Sequence, residues 1–232
     1  MRILALTIAV LWSFVRIASA EMIEKSGRFG GLDVTYKVIL PNGYDASRTY
    51  PLVLVFTGGG QQLRGAENTL KADWQAEAER RGYIVVSPGS PDGSLFFEAG
   101  DRIFPEFLEM IRRDYRVPLG AMHVAGHSNG GLSAFHIAAK YPAFFTTVTG
   151  YPGLLDGENL GRIQRLKPMC VFMHVGEQDA GWMAAMQRQA QTLQDQSFSV
   201  RYTVEKNQVH RLRAQDTDLS KRLFDQIESC RR

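Results

Sequence analysis

Three short runs of this chain contain almost nothing polar: P-L-V-L-V-F at 51–56, Y-I-V-V at 83–86 and C-V-F-M at 170–173. A strand with one face in water alternates apolar and polar side chains, because successive residues point to opposite faces. A strand without that alternation has both faces covered, as in a parallel sheet packed between two layers of helices. Between these runs the periodicity changes to that of a helix. Leu70, Trp74 and Ala78 recur every four residues, and Gly82 follows as a C-cap. Phe104, Phe107, Leu108, Ile111 and Tyr115 make an amphipathic stripe with Pro105 near its start. Leu132, Phe135, Ile137 and Ala138 form another stripe, Trp182, Met186 and Leu193 the next, and Leu219, Leu223 and Ile227 the last. Two stretches do alternate, Leu32-Val34-Tyr36-Val38-Leu40 and Phe198-Val200-Tyr202-Val204, and read as strands with one exposed face. Strand and helix signals in alternation imply an α/β fold, an open and mostly parallel sheet with helices on both faces. Ligands of such sheets gather at the carboxyl ends of the strands.

The chain has 232 residues, 44% hydrophobic and 22% charged, which suits one sizeable core, and no Pro/Gly/Ser-rich linker divides it. Residues 1–20 read as a secretory signal: Arg2 supplies the positive start, 3–15 carry no charge, and Ala18-Ser19-Ala20 fits a small-x-small cleavage site. The alternative is an uncleaved anchor, although the apolar run is short for a bilayer core of ~30 Å. Residues 21–232 then form a single domain, secreted or periplasmic, without stable membrane association after cleavage. Cleavage removes Arg2 and Arg16 and leaves 25 basic against 24 acidic residues. That balance, with no basic stripe interleaved with aromatics, argues against a nucleic-acid partner. The two cysteines, Cys170 and Cys230, could pair in an exported protein or remain buried thiols. No Cys/His spacing resembles a zinc site.

The residues suited to chemistry follow predicted strands. G-H-S-N-G at 126–130 matches G-x-S-x-G, between the β-rich A-M-H-V-A and a helical run. A serine on a sharp strand-to-helix turn needs small residues two before and two after it, and there Ser128 would be an exposed nucleophile. A serine hydroxyl is a weak nucleophile without a base. Of five histidines, His123 and His174 fall within strands, His136 on the helix after the turn, and His127 inside the turn, pointing away from the partner of Ser128. His210, in K-N-Q-V-H-R-L between the last strand and the last helix, is the candidate base. For the acid that orients it, H-V-G-E-Q-D offers Glu177 and Asp179; Gly176 breaks the strand and Asp179 comes beyond the turn, which favours Asp179. Donors for a developing oxyanion are the backbone amide of Asn129 and, from V-F-T-G-G-G-Q-Q, that of Gly59, with Gly60 as its rival. No phosphate-loop lysine follows these glycines.

These motifs resemble the α/β-hydrolases, and within them the small secreted esterases of the polyhydroxybutyrate depolymerase and feruloyl esterase type. The likeness runs from about residue 30 to the C-terminus and rests on V-F-T-G-G-G-Q, R-V-P-L-G-A-M-H-V-A-G-H-S-N-G-G, H-V-G-E-Q-D and His210. The order Ser128, Asp179, His210 is that of an α/β-hydrolase. Two departures are visible: Thr57 stands where such relatives commonly carry a histidine, and N-Q-V-H replaces a more glycine-rich approach to the final histidine. The resemblance implies a secreted serine carboxylesterase working through an acyl-enzyme, with no metal and no other cofactor. Only 17 residues separate Gly150 from Pro168, too few for a substantial lid domain. An open site suits small-molecule or polymer-borne esters, feruloyl or polyester-type among them. Tyr151 and Trp182 flank the site and serve either the core or an acyl pocket. A serine peptidase or thioesterase on the same fold, or a hydrolase scaffold kept for binding, are the alternatives.

Overall fold

The structure, a computed structural model, describes residues 22–213 and 217–230. The expected signal segment therefore lies outside the described residues. Eight strands form one sheet in the order β1-β2-β4-β3-β5-β6-β7-β8. They are β1 (Met22–Phe29), β2 (Leu32–Ile39), β3 (Leu52–Phe56), β4 (Ile84–Pro88), β5 (Met122–Gly126), β6 (Phe145–Gly150), β7 (Cys170–Gly176) and β8 (Ser199–Glu205). β1 and β2 pair antiparallel, as do β2 and β4, while every pairing from β4 through β3 to β8 is parallel. The fold is an open, mostly parallel α/β sheet with helices on both faces, as the apolar runs imply.

Strand β3 shows why those runs lack alternation. Leu52, Leu54 and Phe56 face one cluster, together with residues of α3 (Phe104–Asp114), α4 (Asn129–Lys140) and α5 (Ala180–Asp195). Val53 and Val55 face the other, against Leu70, Trp74 and Phe224. Both faces are dry, and fully burying a side chain of this size contributes ~1.5–3 kcal/mol. The second layer is built from α1 (Leu63–Thr69), a π-helical turn (Leu70–Trp74), α2 (Gln75–Arg81) and α6 (Leu219–Ser229). Gly82 closes α2 in the left-handed region at φ 77°, its N–H donating to the carbonyl of Ala78.

Two strands escape the pattern reading. β1 is an outer hairpin strand whose exposed face is polar, turning at Gly30-Gly31 into β2. β6 reads F-T-T-V-T-G, yet Thr147 and Thr149 are buried in the sheet. Threonine is β-branched and packs on a pleated surface much as valine does. Cys170 and Cys230 form a disulfide with Cα atoms 6.0 Å apart, fastening the end of α6 to the start of β7.

Candidate active site

Ser128 occupies the point where β5 turns into α4, with φ 59° and ψ −124°, a backbone conformation foreign to most L-residues. The glycines around it are required sterically. A Cβ on Gly126 would lie 2.0 Å from the carbonyl oxygen of Gly130, and one on Gly130 would lie 2.2 Å from that of Phe56. The Ser128 N–H donates to the Pro152 carbonyl at 2.9 Å, so the loop after β6 braces the turn from below.

The three side chains named from the sequence meet at the carboxyl edge of β5, β7 and β8. His210 Nδ1 is 2.6 Å from Asp179 Oδ2, and His210 Nε2 is 2.8 Å from Ser128 Oγ. An ionised carboxylate only accepts, so Nδ1–H donates to Asp179 and Nε2 is left to accept from the serine hydroxyl. Asp179 precedes α5, and its backbone carbonyl takes the Met183 N–H while its side chain makes no cap bond and reaches His210 instead. Glu177 has a different partner: its Oε2 accepts the N–H of Asn207 at 3.0 Å. Further bonds from Glu177 N to Glu205 O and from Gln178 N to Gln208 O stitch the loop bearing Asp179 to the loop bearing His210.

Asn129 opens α4, where first-turn amides have no partner within the helix. Its side-chain Nδ2 donates to the Gly59 carbonyl at 3.0 Å, so the glycine loop is held beside the elbow. Gly59 has φ 61°, a conformation that favours glycine, and Gly60 follows it on the exposed side of the loop. A residue missed in the sequence clamps this loop. Gln61, buried and itself at φ 55°, donates from Nε2 to Ser133 Oγ at 2.7 Å and accepts the Phe96 N–H at 2.8 Å through Oε1. Its only sequence signal is a glutamine directly after the glycines.

His127 does not point away from the base, contrary to the sequence expectation. Its ring packs on that of His210 with centroids 5.4 Å apart, because the room beneath Gly58 leaves it lying across the site. Burial, helped by the neighbouring Arg211 and His210, pushes its imidazole down to about 3, so it stays neutral. Tyr151 belongs to the core: it is fully buried, and its hydroxyl accepts from Trp74 Nε1 at 2.9 Å. Trp182 is at the site, with its ring 5.5 Å from His210. It lines a groove of about 330 Å³ with Leu132, Leu154 and Ala185. The groove continues past Asp156 into a recess of about 240 Å³ flanked by Glu98 and Glu158. Between β6 and β7 the chain holds only a 3-10 helical stretch, Gly157–Leu166.

Beside His210, Arg211 grips Asp73 with both terminal nitrogens, Nη1 to Oδ2 at 2.8 Å and Nη2 to Oδ1 at 2.9 Å. Asp73 is buried in the π-helical turn, and burial raises its carboxyl pKa against the opposing pull of Arg211 and Tyr151. Neither residue was legible as a site element. Among the described residues no group of three His, Cys, Asp or Glu side chains could hold a metal ion, and no helix is long and apolar enough to cross a membrane.

The Esterase family model, described as "Putative esterase", matches residues 26–228. No curated protein matches the chain. Among solved structures, a dienelactone hydrolase from Anabaena variabilis superposes with a TM-score of 0.69 at 15% identity, over 90% of this chain and 98% of its own. A feruloyl esterase module from Clostridium thermocellum, complexed with sinapinate, gives 0.65 at 14% identity over 83% and 82%. A thermostable esterase gives 0.63 at 17% identity over 82% of this chain but 56% of its own, so the chain spans little more than half that protein's length. At such identities these likenesses establish a shared fold. With the family match covering most of its length, the chain belongs to the Esterase family and is an ester-hydrolysing enzyme of the α/β-hydrolase fold.

Proposed function

We propose that this esterase cleaves carboxylic esters through Ser128, His210 and Asp179, with the Asn129 and Gly59 amides receiving the oxyanion. The observation that carries the reading is the unbroken relay from Asp179 Oδ2 to His210 at 2.6 Å and from His210 Nε2 to Ser128 Oγ at 2.8 Å, ending on a serine held at φ 59°. In the first half-reaction His210 Nε2 takes the hydroxyl proton as Ser128 Oγ bonds to the carbonyl carbon. The tetrahedral oxyanion collapses, the bond to the alcohol oxygen breaks, and His210 returns its proton to the leaving alcohol. Water then attacks the acyl-enzyme, again losing a proton to His210, and the acid departs as Ser128 regains its hydrogen. Each preorganised amide at the oxyanion is worth ~3 kcal/mol of transition-state stabilisation.

The groove at Trp182, Leu132 and Leu154 suits an aromatic or aliphatic acyl group, feruloyl or polyester-type, and the short 3-10 segment leaves it open to esters borne on a polymer. Export is part of the proposal, supported by the signal-like residues 1–20 and by a disulfide, which persists in oxidising compartments. The deciding experiment labels the protein with an organophosphonate and follows hydrolysis of a para-nitrophenyl ester by wild type and by Ser128→Ala. The expected result is an adduct on Ser128 and loss of turnover in a folded variant. Turnover equal to wild type in Ser128→Ala would remove the serine from the mechanism. Hydrolysis of a matched amide at a comparable rate would redirect the assignment to a peptidase.

A further inference from the structure

His210 stands between two recesses of opposite character. On the side of Trp182 the groove has an apolar floor and Asp156 in its wall, and the recess into which it continues adds two more carboxylates, Glu98 and Glu158. On the other side, beyond the glycine loop, lies a second recess of about 360 Å³, with Thr57, Gly58, Gly59, Asn68, His127 and Arg211 in its wall. Among the described residues no acidic side chain lines it, and the one that carries a formal charge is Arg211. It adjoins the reacting pair through the His127 ring, tilted at 56° to that of His210 with centroids 5.4 Å apart, and through Arg211, the next residue in the chain.

The guanidinium is fixed rather than free to swing. Its Nη2 donates to Asp73 Oδ1 at 2.9 Å and its Nη1 lies 2.8 Å from Oδ2, and Asp73 is only 1% exposed, so that carboxylate lies behind the cation and out of a ligand's reach. Arg211 itself keeps 40% of its side chain exposed. A guanidinium has five N–H donors, and one of them is spent on Asp73. The remaining edge, held in place beforehand, loses little rotamer freedom when it meets an acceptor.

We infer that this second recess receives one limb of the ester and that this limb carries an anionic group of the carboxylate type, while the neutral limb occupies the Trp182 groove. The three carboxylates of the groove and its continuation repel an anion placed the wrong way round, so the two recesses together set the substrate's direction. The inference rests on Ser128 and His210 being the reacting pair.

The test compares kcat/KM for matched esters that differ by one charge. One pair puts the charge on the acyl limb: para-nitrophenyl hydrogen glutarate against para-nitrophenyl valerate. The other puts it on the alcohol limb: the carboxymethyl ester of cinnamic acid against the ethyl ester. One of the two pairs favours the anion by about fivefold or more at low salt, and the preference shrinks as salt is added. Asn68 is exposed on α1, apart from the Asp73–Arg211 pair. Asn68→Asp, which brings a like charge to the recess wall, lowers that preference several-fold, and Asn68→Lys raises it. Absence of an anion preference in both pairs, or a preference indifferent to Asn68→Asp, overturns the inference. Ser128→Ala is run beside these: turnover of the neutral esters that survives it overturns the reading of the reacting pair instead, whereas Ser128-dependent turnover without anion preference overturns the recess alone.

Discussion

At the scale of single residues, the elbow is defined by what cannot be there. Backbone oxygens at 2.0 and 2.2 Å from the missing Cβ positions of Gly126 and Gly130 leave no flexible neighbour to yield. Gly126→Ala and Gly130→Ala should each cost at or beyond the upper end of the ~1–3 kcal/mol usual for overpacking, read as a lowered midpoint in urea. This is why the motif was legible in sequence: a steric demand that strict allows few residue types. The choice of acid is also testable residue by residue. Asp179→Asn, which disturbs the His210 tautomer, should lower kcat roughly ten-thousandfold. Glu177→Gln still accepts the Asn207 N–H and should leave kcat within a small factor of wild type. Arg211 and Asp73 were not legible, because their meeting joins positions 138 residues apart and neither belongs to a local pattern.

At the scale of elements, the π-helical turn Leu70–Trp74 is what turns Asp73 inward. It inserts one wider turn between α1 and α2, and both Asp73 and Trp74 are buried there. A four-residue apolar spacing at 70, 74 and 78 predicts a helix and says nothing of a wider turn within it. Breaking one side of a fully buried ion pair costs about 3–5 kcal/mol. Arg211 is 40% exposed and partly screened, so Asp73→Asn should cost about 2 kcal/mol, with the double variant Asp73→Asn/Arg211→Gln less damaged than the sum of its parts. Denaturant titrations of the four proteins give that coupling directly. The disulfide is a second device at this scale. It joins residues 60 positions apart, a loop whose closure in the unfolded chain is worth ~4 kcal/mol. Replacing both cysteines by alanine should lower the thermal midpoint by about 10 °C. Two cysteines in a sequence leave their pairing open; the neighbouring ends of β7 and α6 close it.

Over the whole molecule, the sheet and its two apolar layers were legible because buried parallel strands suppress alternation, and β6 was missed because threonine hid a buried strand behind a polar name. Acid sensitivity is also a property of this scale. Burial depresses the imidazoles of His123 and His127 to about 4 and about 3. Unfolded histidine takes its proton near pH 6.5, so below that value the unfolded state binds more protons than the folded one. The stability these neutral rings contribute is complete above pH 6.5 and is lost as pH falls towards the folded values, at about 1.4 kcal/mol per unit for each ring. Asp73, with its raised pKa, acts in the opposite sense near the carboxylate range and offsets part of the loss. Thermal midpoints measured across pH should be level above 7 and decline from about 6.5; His123→Gln should make that decline shallower.

Among the described residues strand β8 has a neighbour on one side only, and His210 hangs from its far end. What keeps that margin in place is its pairing with β7, the bond from the Tyr202 hydroxyl to the Met183 carbonyl of α5, and the Arg222–Glu205 ion pair from α6. Peeling of a single outer ribbon would therefore silence the enzyme while seven strands stay zipped. In mild denaturant, turnover becomes a gauge of that margin, fading before the far-ultraviolet signal of the sheet does.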